Sequence, residues 1–140
     1  MPKLIITRGL PGSGKTAYAR TLQPWVVRVN RDDLRRMLHG DRIFTQTAEA
    51  QVTVAQRAQV AALLGAAASV IIDDTNLPAR VVREWADMAA RFGAAFEVVD
   101  FTDVPVDECV RRDAARAEAD RVGEEVIRAM HSRYLARAES

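Results

Sequence analysis

The segment that most constrains the fold is residues 9–16, which read Gly-Leu-Pro-Gly-Ser-Gly-Lys-Thr. It fits the pattern G-x-x-x-x-G-K-[ST], which forms a phosphate-binding loop when a strand precedes it and a helix follows. Both neighbours are predicted here, because the apolar run at 3–7 reads as a short buried strand and the residues after Thr16 favour a helix. The fold must therefore place a strand, a glycine-rich turn and a helix N-terminus in direct succession.

The residue types in this loop have distinct physical roles. Glycines let the backbone adopt positive φ and approach a ligand without a Cβ clash, and the N–H groups at the helix start favour an anion. A lysine at this position bridges the outer phosphates, and the following hydroxyl helps to hold Mg²⁺. The sequence therefore predicts a site for a nucleotide polyphosphate. The predicted binding residues are Gly9, Gly12, Ser13, Gly14, Lys15 and Thr16.

The composition is typical of one globular domain over residues 1–140. Hydrophobic residues make up 49% and charged residues 28% of the chain, as in soluble proteins. The single cysteine excludes an internal disulfide framework and suits a reducing compartment. Neither a run of 18 apolar residues nor a leader-like N-terminus is present, so we expect no membrane association and a cytoplasmic location.

Positive charge is concentrated around the loop. Residues 1–46 carry nine Lys and Arg against three Asp and Glu, although the whole chain has a net charge of only +1. A polyanionic partner would have to approach this region. Since 18 of the 20 basic residues are arginine, a general compositional bias explains the pattern equally simply. The charge distribution gives only weak support for a nucleic-acid partner.

Predicted strands and helices alternate along the rest of the chain. This alternation indicates an α/β fold with a parallel sheet covered by helices on both faces. We predict further strands at 25–29, 69–72 and 95–101, and helices at 31–38, 47–68, from about 78 to 92, 106–119 and 124–137.

A second polar segment follows the second predicted strand, where ligands of parallel sheets bind. Asp32 and Arg35 are three residues apart on a helix and therefore share a face. A carboxylate can orient a hydroxyl group and take its proton, and a cation can hold the rest of a phosphate acceptor. The same residues also fit an ordinary helix start without any catalytic role. Asn30 would cap the helix, with acidic residues in its first turn and basic residues behind them.

The third strand ends in a further acidic pair, Asp73 and Asp74. A carboxylate in this position commonly directs Mg²⁺, usually through water. The pattern leaves open which of the two does so. Asn76 is better explained as a cap of the helix that begins near Pro78.

Arg112 and Arg116 lie one turn apart on the predicted helix at 106–119. Cations there would close over a triphosphate and neutralise charge on the transferred oxygens. Ordinary surface pairs at (i, i+4) spacing, such as Glu108 with Arg112, explain the same residues equally well.

Four features follow one another along the chain: GxPGSGK[ST], NRDDxxR, an apolar strand ending in DTN, and an arginine-bearing helix. This order resembles the phage-type polynucleotide 5′-kinase domain of the P-loop kinase superfamily. This is the kinase half of the 5′-kinase/3′-phosphatase enzymes that repair nucleic-acid ends, and the similarity runs from Lys3 to about Tyr134. The resemblance implies a three-layer P-loop kinase sandwich with a four-stranded parallel sheet in the order 2-3-1-4 and an arginine-bearing helical lid.

The resemblance also implies roles for individual residues. Asp32 matches the general base, Arg35 the group that grips the acceptor phosphate, and Thr75 its assistant. The required carboxylate after the third strand is matched by Asp74, and the lid arginines by Arg112 and Arg116. The implied reaction is Mg²⁺-dependent transfer of the γ-phosphate of ATP, or of other nucleoside triphosphates, to 5′-OH ends of DNA or RNA.

Several features limit these expectations. The sequence ends at Ser140 without a D-x-D-G-T motif, so we expect that it contains no phosphatase domain. We expect its partners to be a separate 3′-phosphatase and a separate ligase. Phe44 is the only aromatic residue between the second and third motifs, which favours recognition of one or two terminal nucleotides. The alternatives are a kinase of a small hydroxylated metabolite or antibiotic, and a nucleotide-dependent switch. The sequence predicts neither a preference between DNA and RNA nor an oligomeric state.

Overall fold

A four-stranded parallel sheet forms the centre of the computed structural model, which describes residues 1–136. The strand order is β2-β3-β1-β4, which confirms the predicted order 2-3-1-4. The strands are β1 (Lys3–Arg8), β2 (Val27–Arg28), β3 (Val70–Ile72) and β4 (Ala95–Asp100).

Within the described residues, six helices surround the sheet, in the arrangement expected of a P-loop kinase sandwich. They are α1 (Lys15–Leu22), α2 (Arg31–His39), α3 (Gln46–Gly65), α4 (Ala79–Arg91), α5 (Val106–Ala114) and α6 (Glu124–Tyr134). We call α5, α6 and the short 3₁₀ turn Glu118–Asp120 between them the lid. The predicted extension of the last helix to Arg137 falls outside the described residues.

Alternate residues of the central strands pack into separate cores on the two sheet faces, because side chains of a strand alternate with period two. Leu4 and Ile72 are buried with Trp85 of α4 on one face. Ile5 is buried with Ala19 of α1 on the other. A third cluster, which includes Leu10 and Cys109, joins the phosphate loop to the lid. The helices thus cover both faces, and the lid is packed against the loop.

The parallel register brings the carboxyl ends of the strands to one edge of the sheet. Ile6 of β1 pairs with Ile72 of β3 and with Val98 of β4. The segments that follow β1, β2 and β3 therefore meet at this edge, which is where ligands bind in such sheets.

Asn76 does not cap α4, so that prediction is wrong. With φ of 45°, its backbone turns the side chain towards the strand ends, and Nδ2 donates to the Thr7 carbonyl at 2.8 Å. The helix begins after Pro78 without a side-chain cap. Arg8 has a related role, because its guanidinium donates to the Leu77 carbonyl at 2.6 Å. Both side chains tie β1 to the segment after β3.

The helix predicted at 106–119 is shorter than expected, since α5 ends at Ala114. The cause is the buried carboxylate of Asp113, which accepts hydrogen bonds from the N–H groups of Val122 and Gly123, both at 2.9 Å. These bonds pull the chain back beneath the end of the helix, where the 3₁₀ turn forms instead.

Within residues 1–136, no helix combines the length and the apolar character needed to cross a membrane.

Candidate active site

The phosphate loop is shaped by backbone conformations that only glycine adopts readily. Gly12 and Gly14 have φ of 84° and 105°, in the region that disfavours other residues. Space is also restricted at Gly12, because a Cβ there would lie 2.4 Å from the carbonyl oxygen of Cys109. The loop therefore packs directly on the backbone of α5.

Lys15 lies buried at the start of α1, and its ammonium group is folded back over the loop. Nζ donates to the Leu10 carbonyl at 2.6 Å and lies 3.4 Å from Ser13 Oγ. The pKa of Lys15 is lowered to about 8, chiefly by burial and to a smaller extent by the positive charge of Arg116. The carboxylates of Asp73 and Asp74 act in the opposite direction. A buried ammonium group of this kind is poised to gain from a nearby anion.

A cavity of about 570 Å³ opens beside Lys15, where the phosphate loop, α2, the end of β3 and the lid meet. Its volume is within the range of small-molecule sites. Most of the predicted site residues line it, namely Lys15, Thr16, Asp32, Arg35, Asp73, Asp74, Thr75 and Arg116. Residues predicted from four separate segments of the sequence therefore meet around one space.

The remaining predicted residues lie around the loop. The backbone N–H of Gly9 donates to the Thr75 carbonyl at 3.0 Å, which joins the loop to the segment after β3. Arg112 contacts the loop, with Nη1 3.4 Å from the Gly12 carbonyl, and its Nε donates to Glu108 at 2.8 Å. Arg112 thus makes the predicted surface pair and also touches the loop.

Arg112 and Arg116 do not share a helix face, contrary to the prediction, because α5 ends between them. Arg116 lies in the following turn, where its guanidinium is 3.5 Å from Asp113. Its side chain lines the cavity close enough to Lys15 to affect the pKa of that residue. The early end of the helix therefore places Arg116 beside the phosphate loop.

Asp32 lies on the first turn of α2, where two guanidinium groups hold its carboxylate. Arg35 Nη1 is 2.9 Å from Oδ1, and Arg42 Nε is 3.1 Å from Oδ2. About a third of the Asp32 side chain stays exposed to solvent, at 35%. A carboxylate has about four lone-pair positions, so it can accept a further hydrogen bond from a group in the cavity.

Arg35 is the best-anchored side chain on this wall of the cavity. Its Nε and Nη2 donate to the two oxygens of Glu49 on α3, both at 2.7 Å, in a forked arrangement. The guanidinium also lies 4.8 Å from the ring centroid of Phe44. Burial disfavours the charged form, but the bonds to Glu49 and Asp32 outweigh it and raise the pKa of Arg35. The same ion pair lowers the pKa of Glu49.

The two aspartates after β3 have different surroundings. Asp73 is fully buried, with one oxygen 2.8 Å from Arg28 Nε and the other 3.0 Å from Asn30 Nδ2. Asp74 accepts from the Arg31 backbone N–H at 2.9 Å and from Gln56 Nε2 at 2.7 Å. Burial raises the pKa of Asp74, and these two donors act against that effect. Asp73 is therefore committed to an ion pair, whereas Asp74 is held by neutral donors.

The donor set fits Mg²⁺ held together with phosphates. Among residues 1–136, no cluster of three or more His, Cys, Asp or Glu side chains is arranged to hold a metal ion on its own. Mg²⁺ keeps several waters and commonly needs only one or two protein ligands when phosphates supply the rest. Thr16 and Asp74 line the same cavity and provide a hydroxyl and a carboxylate for this purpose.

Several residues of the site were missed from the sequence. Arg42 contacts Asp32, Glu49 contacts Arg35, and Arg121 lines the cavity beside the lid. Arg42 follows the helix break at Gly40, and Glu49 lies on a helix that the sequence showed only as rich in apolar and helix-forming residues. No spacing pattern connects such distant positions, so only the three-dimensional structure reveals them.

The fold and the phosphate loop together define a P-loop protein with the kinase fold. The chain belongs to the AAA domain family, whose model matches residues 4–140.

Two relatives with related descriptions support the resemblance to polynucleotide kinases. A putative bifunctional polynucleotide kinase/RNA ligase from Autographa californica nuclear polyhedrosis virus is 30% identical over 146 residues, which cover 95% of this chain and 21% of that protein. A structure of the Pnkp1/Rnl/Hen1 RNA repair complex matches 99% of this chain and 45% of the compared chain, with a TM-score of 0.85 and 34% identity. The chain thus spans less than half the length of these relatives.

A third relative has a different acceptor in its description. The structure of the Mycobacterium tuberculosis APS kinase CysC in complex with AMPPNP and APS matches 81% of this chain and 69% of that one, with a TM-score of 0.62 and 26% identity.

Proposed function

We propose that this chain is a polynucleotide 5′-hydroxyl kinase, which transfers the γ-phosphate of ATP to the 5′-OH end of DNA or RNA during end repair. The observation that carries the proposal is that Lys15, Asp32 and Arg116 line one cavity at the carboxyl edge of the sheet. A phosphoryl donor site, a candidate base and a cation thus face a common space, as in-line transfer requires.

The donor phosphates bind in the loop formed by residues 9–16, against its backbone N–H groups and the N-terminus of α1. Lys15 leaves the Leu10 carbonyl and binds the outer phosphates, which compensate its buried charge better than a neutral carbonyl does. Thr16 and Asp74, the latter through water, would hold Mg²⁺ with those phosphates. The ion would neutralise charge on the phosphate oxygens.

The acceptor end lies against α2. Asp32 accepts a hydrogen bond from the 5′-hydroxyl, orients it and takes its proton as the new O–P bond forms. The bond between the γ-phosphorus and the bridging oxygen of ATP breaks in the same step, and ADP leaves. Arg35, held by Glu49, binds the phosphate on the 3′ side of the terminal nucleotide, with Thr75 beside it. Arg112 and Arg116 stabilise the charge on the transferred group.

The relatives also support a partner. Since the viral relative is described as joining a kinase to an RNA ligase, and another lies in a complex with Rnl and Hen1, we propose that the 5′-phosphorylated product passes to a ligase. A 3′-phosphatase acting on the same ends remains a prediction from the resemblance.

The direct test is end labelling. The protein is incubated with γ-labelled ATP, Mg²⁺ and single-stranded 5′-OH oligonucleotides of either sugar type, with 5′-phosphorylated oligonucleotides as the matched negative control. Label on the 5′-OH strands alone is the expected result. Steady ATP hydrolysis without label on any strand contradicts the proposal and favours a nucleotide-dependent switch.

The role of Asp32 has its own test. Replacing Asp32→Asn keeps the shape of the side chain but removes the base, so kcat should fall by about 10²–10⁴-fold. ATP affinity, measured by direct binding, should stay within about twofold, because Asp32 is paired with Arg35 and Arg42 on the wall of the cavity formed by α2. Asp33→Asn, one residue away and exposed, is the control. A parallel loss of ATP binding in Asp32→Asn would instead indicate a structural role.

A second candidate is a kinase of a small hydroxylated acceptor, which the similarity to the APS kinase structure supports. Arg35→Ala separates the two. For a polynucleotide kinase it should raise the KM of nucleoside 3′-phosphates at least about tenfold while barely changing that of free nucleosides, because only the former offer a phosphate to bind. An equal effect on both acceptors favours the small-molecule kinase.

A further inference from the structure

Arg42 lies in the connection between α2 and α3, two residues after the Gly40 cap that ends α2. Its side chain is largely buried, with 15% exposed. Nε contacts the Asp32 carboxylate at 3.1 Å, and Nη1 donates to the carbonyls of Ala119 and Arg121 at 3.1 and 3.2 Å. One guanidinium therefore joins the candidate base to the 3₁₀ turn of the lid.

The contacts continue from this turn to the lid arginine. Arg121 Nε donates to the backbone carbonyl of Arg116 at 2.8 Å, and Arg116 lines the cavity beside Lys15. From the other side, Asp113 accepts from the N–H groups of Val122 and Gly123. The turn is thus held between a buried carboxylate within the lid and the guanidinium of Arg42.

Arg36 provides a comparison within the same molecule. Its Nη2 is 2.8 Å from Asp120 Oδ1 and 3.4 Å from the Ala119 carbonyl, so it contacts the same turn from α2. Its guanidinium is directed to the turn rather than to Asp32, and its side chain is more exposed, at 39%. The two arginines therefore share the lid contact and differ in the contact with the base.

We propose that Arg42 is a positioning residue that sets the Asp32 carboxylate and the lid turn in a fixed relation, so that the base reaches the acceptor hydroxyl while Arg116 reaches the transferred phosphate. The proposal rests on the proposed function of Asp32 and Arg116. The planar fork of arginine suits this task, because one edge serves the carboxylate while another serves two carbonyls. A lysine ammonium is a compact charge that cannot span all three partners.

The experiment compares Arg42→Ala, Arg42→Lys and Arg36→Ala in the full chain, using a 5′-OH oligonucleotide as acceptor. Arg42→Ala should lower kcat by about 10–100-fold, because a displacement near 1 Å has effects of this size. Direct ATP binding should change less than about twofold. We expect Arg42→Lys to recover only part of the rate, and Arg36→Ala to stay within about threefold of the original protein. An equal loss in Arg36→Ala would overturn the proposal, since the contact with Asp32 would then be irrelevant.

A double-variant cycle separates positioning from simple support of the fold. If Arg42 acts through Asp32 and the lid turn, Arg42→Ala should lower kcat clearly less in the Asp32→Asn background than in the original protein, because only its effect on Arg116 remains there. Multiplying losses would overturn the proposal. Melting temperatures identify a variant that merely fails to fold, and in that case Arg42→Lys carries the same cycle.

Amide hydrogen exchange over residues 116–123 provides a readout that does not depend on activity. Exchange there should rise at least about tenfold in Arg42→Ala, since the turn loses its two hydrogen bonds from the segment after α2. Unchanged exchange would overturn the proposal. If the original protein labels no oligonucleotide, the proposed function fails, while this measurement still decides whether Arg42 holds the turn.

Discussion

The two sides of the cavity are built on different physical principles. On the side proposed for the phosphoryl donor, here called the donor side, the phosphate loop is determined by backbone conformation and close packing, with Gly12 against the carbonyl of Cys109. The opposite wall, proposed for the acceptor, is called the acceptor side. On the acceptor side, α2 and the lid turn are held by side-chain ion pairs in which Arg35 and Arg42 meet around Asp32. The donor side therefore depends on steric fit, whereas the acceptor side depends on the pairing of charges.

This difference teaches how each side should respond to substitution. Steric fit is lost at once when a single atom is added. In a network of ion pairs, one charged group often has several partners. Removal of an exposed group costs little stability, because solvent or a second partner replaces it, whereas removal of a buried group costs more. The three predictions that follow probe this contrast, in descending order of expected effect.

The largest effect is expected from Gly12→Ala. The added Cβ has to displace the carbonyl of Cys109, and the backbone has φ of 84°, so strain and overpacking together should cost about 3 kcal/mol or more. Nucleotide affinity should fall at least about a hundredfold in direct binding measurements. Gly40→Ala is the control, because Gly40 has a similar φ of 77° but open space around it. Normal nucleotide binding by Gly12→Ala would contradict the steric account of the donor side.

A smaller effect is expected from Asp73→Asn on the acceptor side. This change leaves the largely buried Arg28 with a neutral partner, so the free energy of unfolding should fall by about 2–3 kcal/mol. Arg28 also contacts Asp33, whose side chain is 57% exposed. Asp33→Asn should therefore cost less than about 0.5 kcal/mol. Chemical denaturation of both variants checks the comparison, and equal losses would show that burial does not govern this network.

The smallest effect is expected in the number of protons taken up by Lys15 when a nucleotide binds. Because the pKa of Lys15 is about 8 and bound phosphates favour the ammonium form, nucleotide binding at pH 8.5 should take up roughly half a proton or more, with little uptake at pH 6.5. Affinity should weaken as the pH rises through the pKa. The stability of the nucleotide-free protein changes with pH in the opposite direction. Between about pH 8 and 10.5 the unfolded chain binds more protons than the folded chain, so the free energy of unfolding rises with pH there.

Calorimetry in buffers of different ionisation enthalpy measures this uptake. Lys15→Arg is the control, because arginine keeps its charge over the whole range. Uptake that persists in Lys15→Arg would assign the proton to another group.

The sequence was sufficient to predict the unit of β1, the glycine-rich loop and α1, and the order of the sheet. A glycine-rich loop between a buried strand and a helix has few structural solutions, and apolar runs alternating with helices lead to a parallel sheet, here in the order 2-3-1-4. Asp32 and Arg35 were predicted as neighbours because (i, i+3) residues on a helix share a face, and the structure places them 2.9 Å apart.

The course of the lid and the side chains that hold Asp32 and Arg35 could not be predicted from the sequence. The early end of α5 depends on Asp113 binding N–H groups nine and ten residues later, and no helical periodicity encodes that contact. Glu49 and Arg42 reach their partners only because α3 packs against α2 and the lid turn returns over the cavity. Local patterns describe single elements, whereas these contacts depend on how elements meet.

The brevity of β2 has a consequence for how this architecture accommodates change. Within the described residues, β2 pairs with β3 only through Val27 and Arg28, opposite Val70 and Ile71, with a further backbone bond from the Val29 N–H to the Ile71 carbonyl. Replacement of residues in α2 or in the segment that follows it therefore disturbs few ladder bonds of the framework. Under the proposed function, acceptor specificity on such a scaffold can be retuned with little change to the phosphate loop.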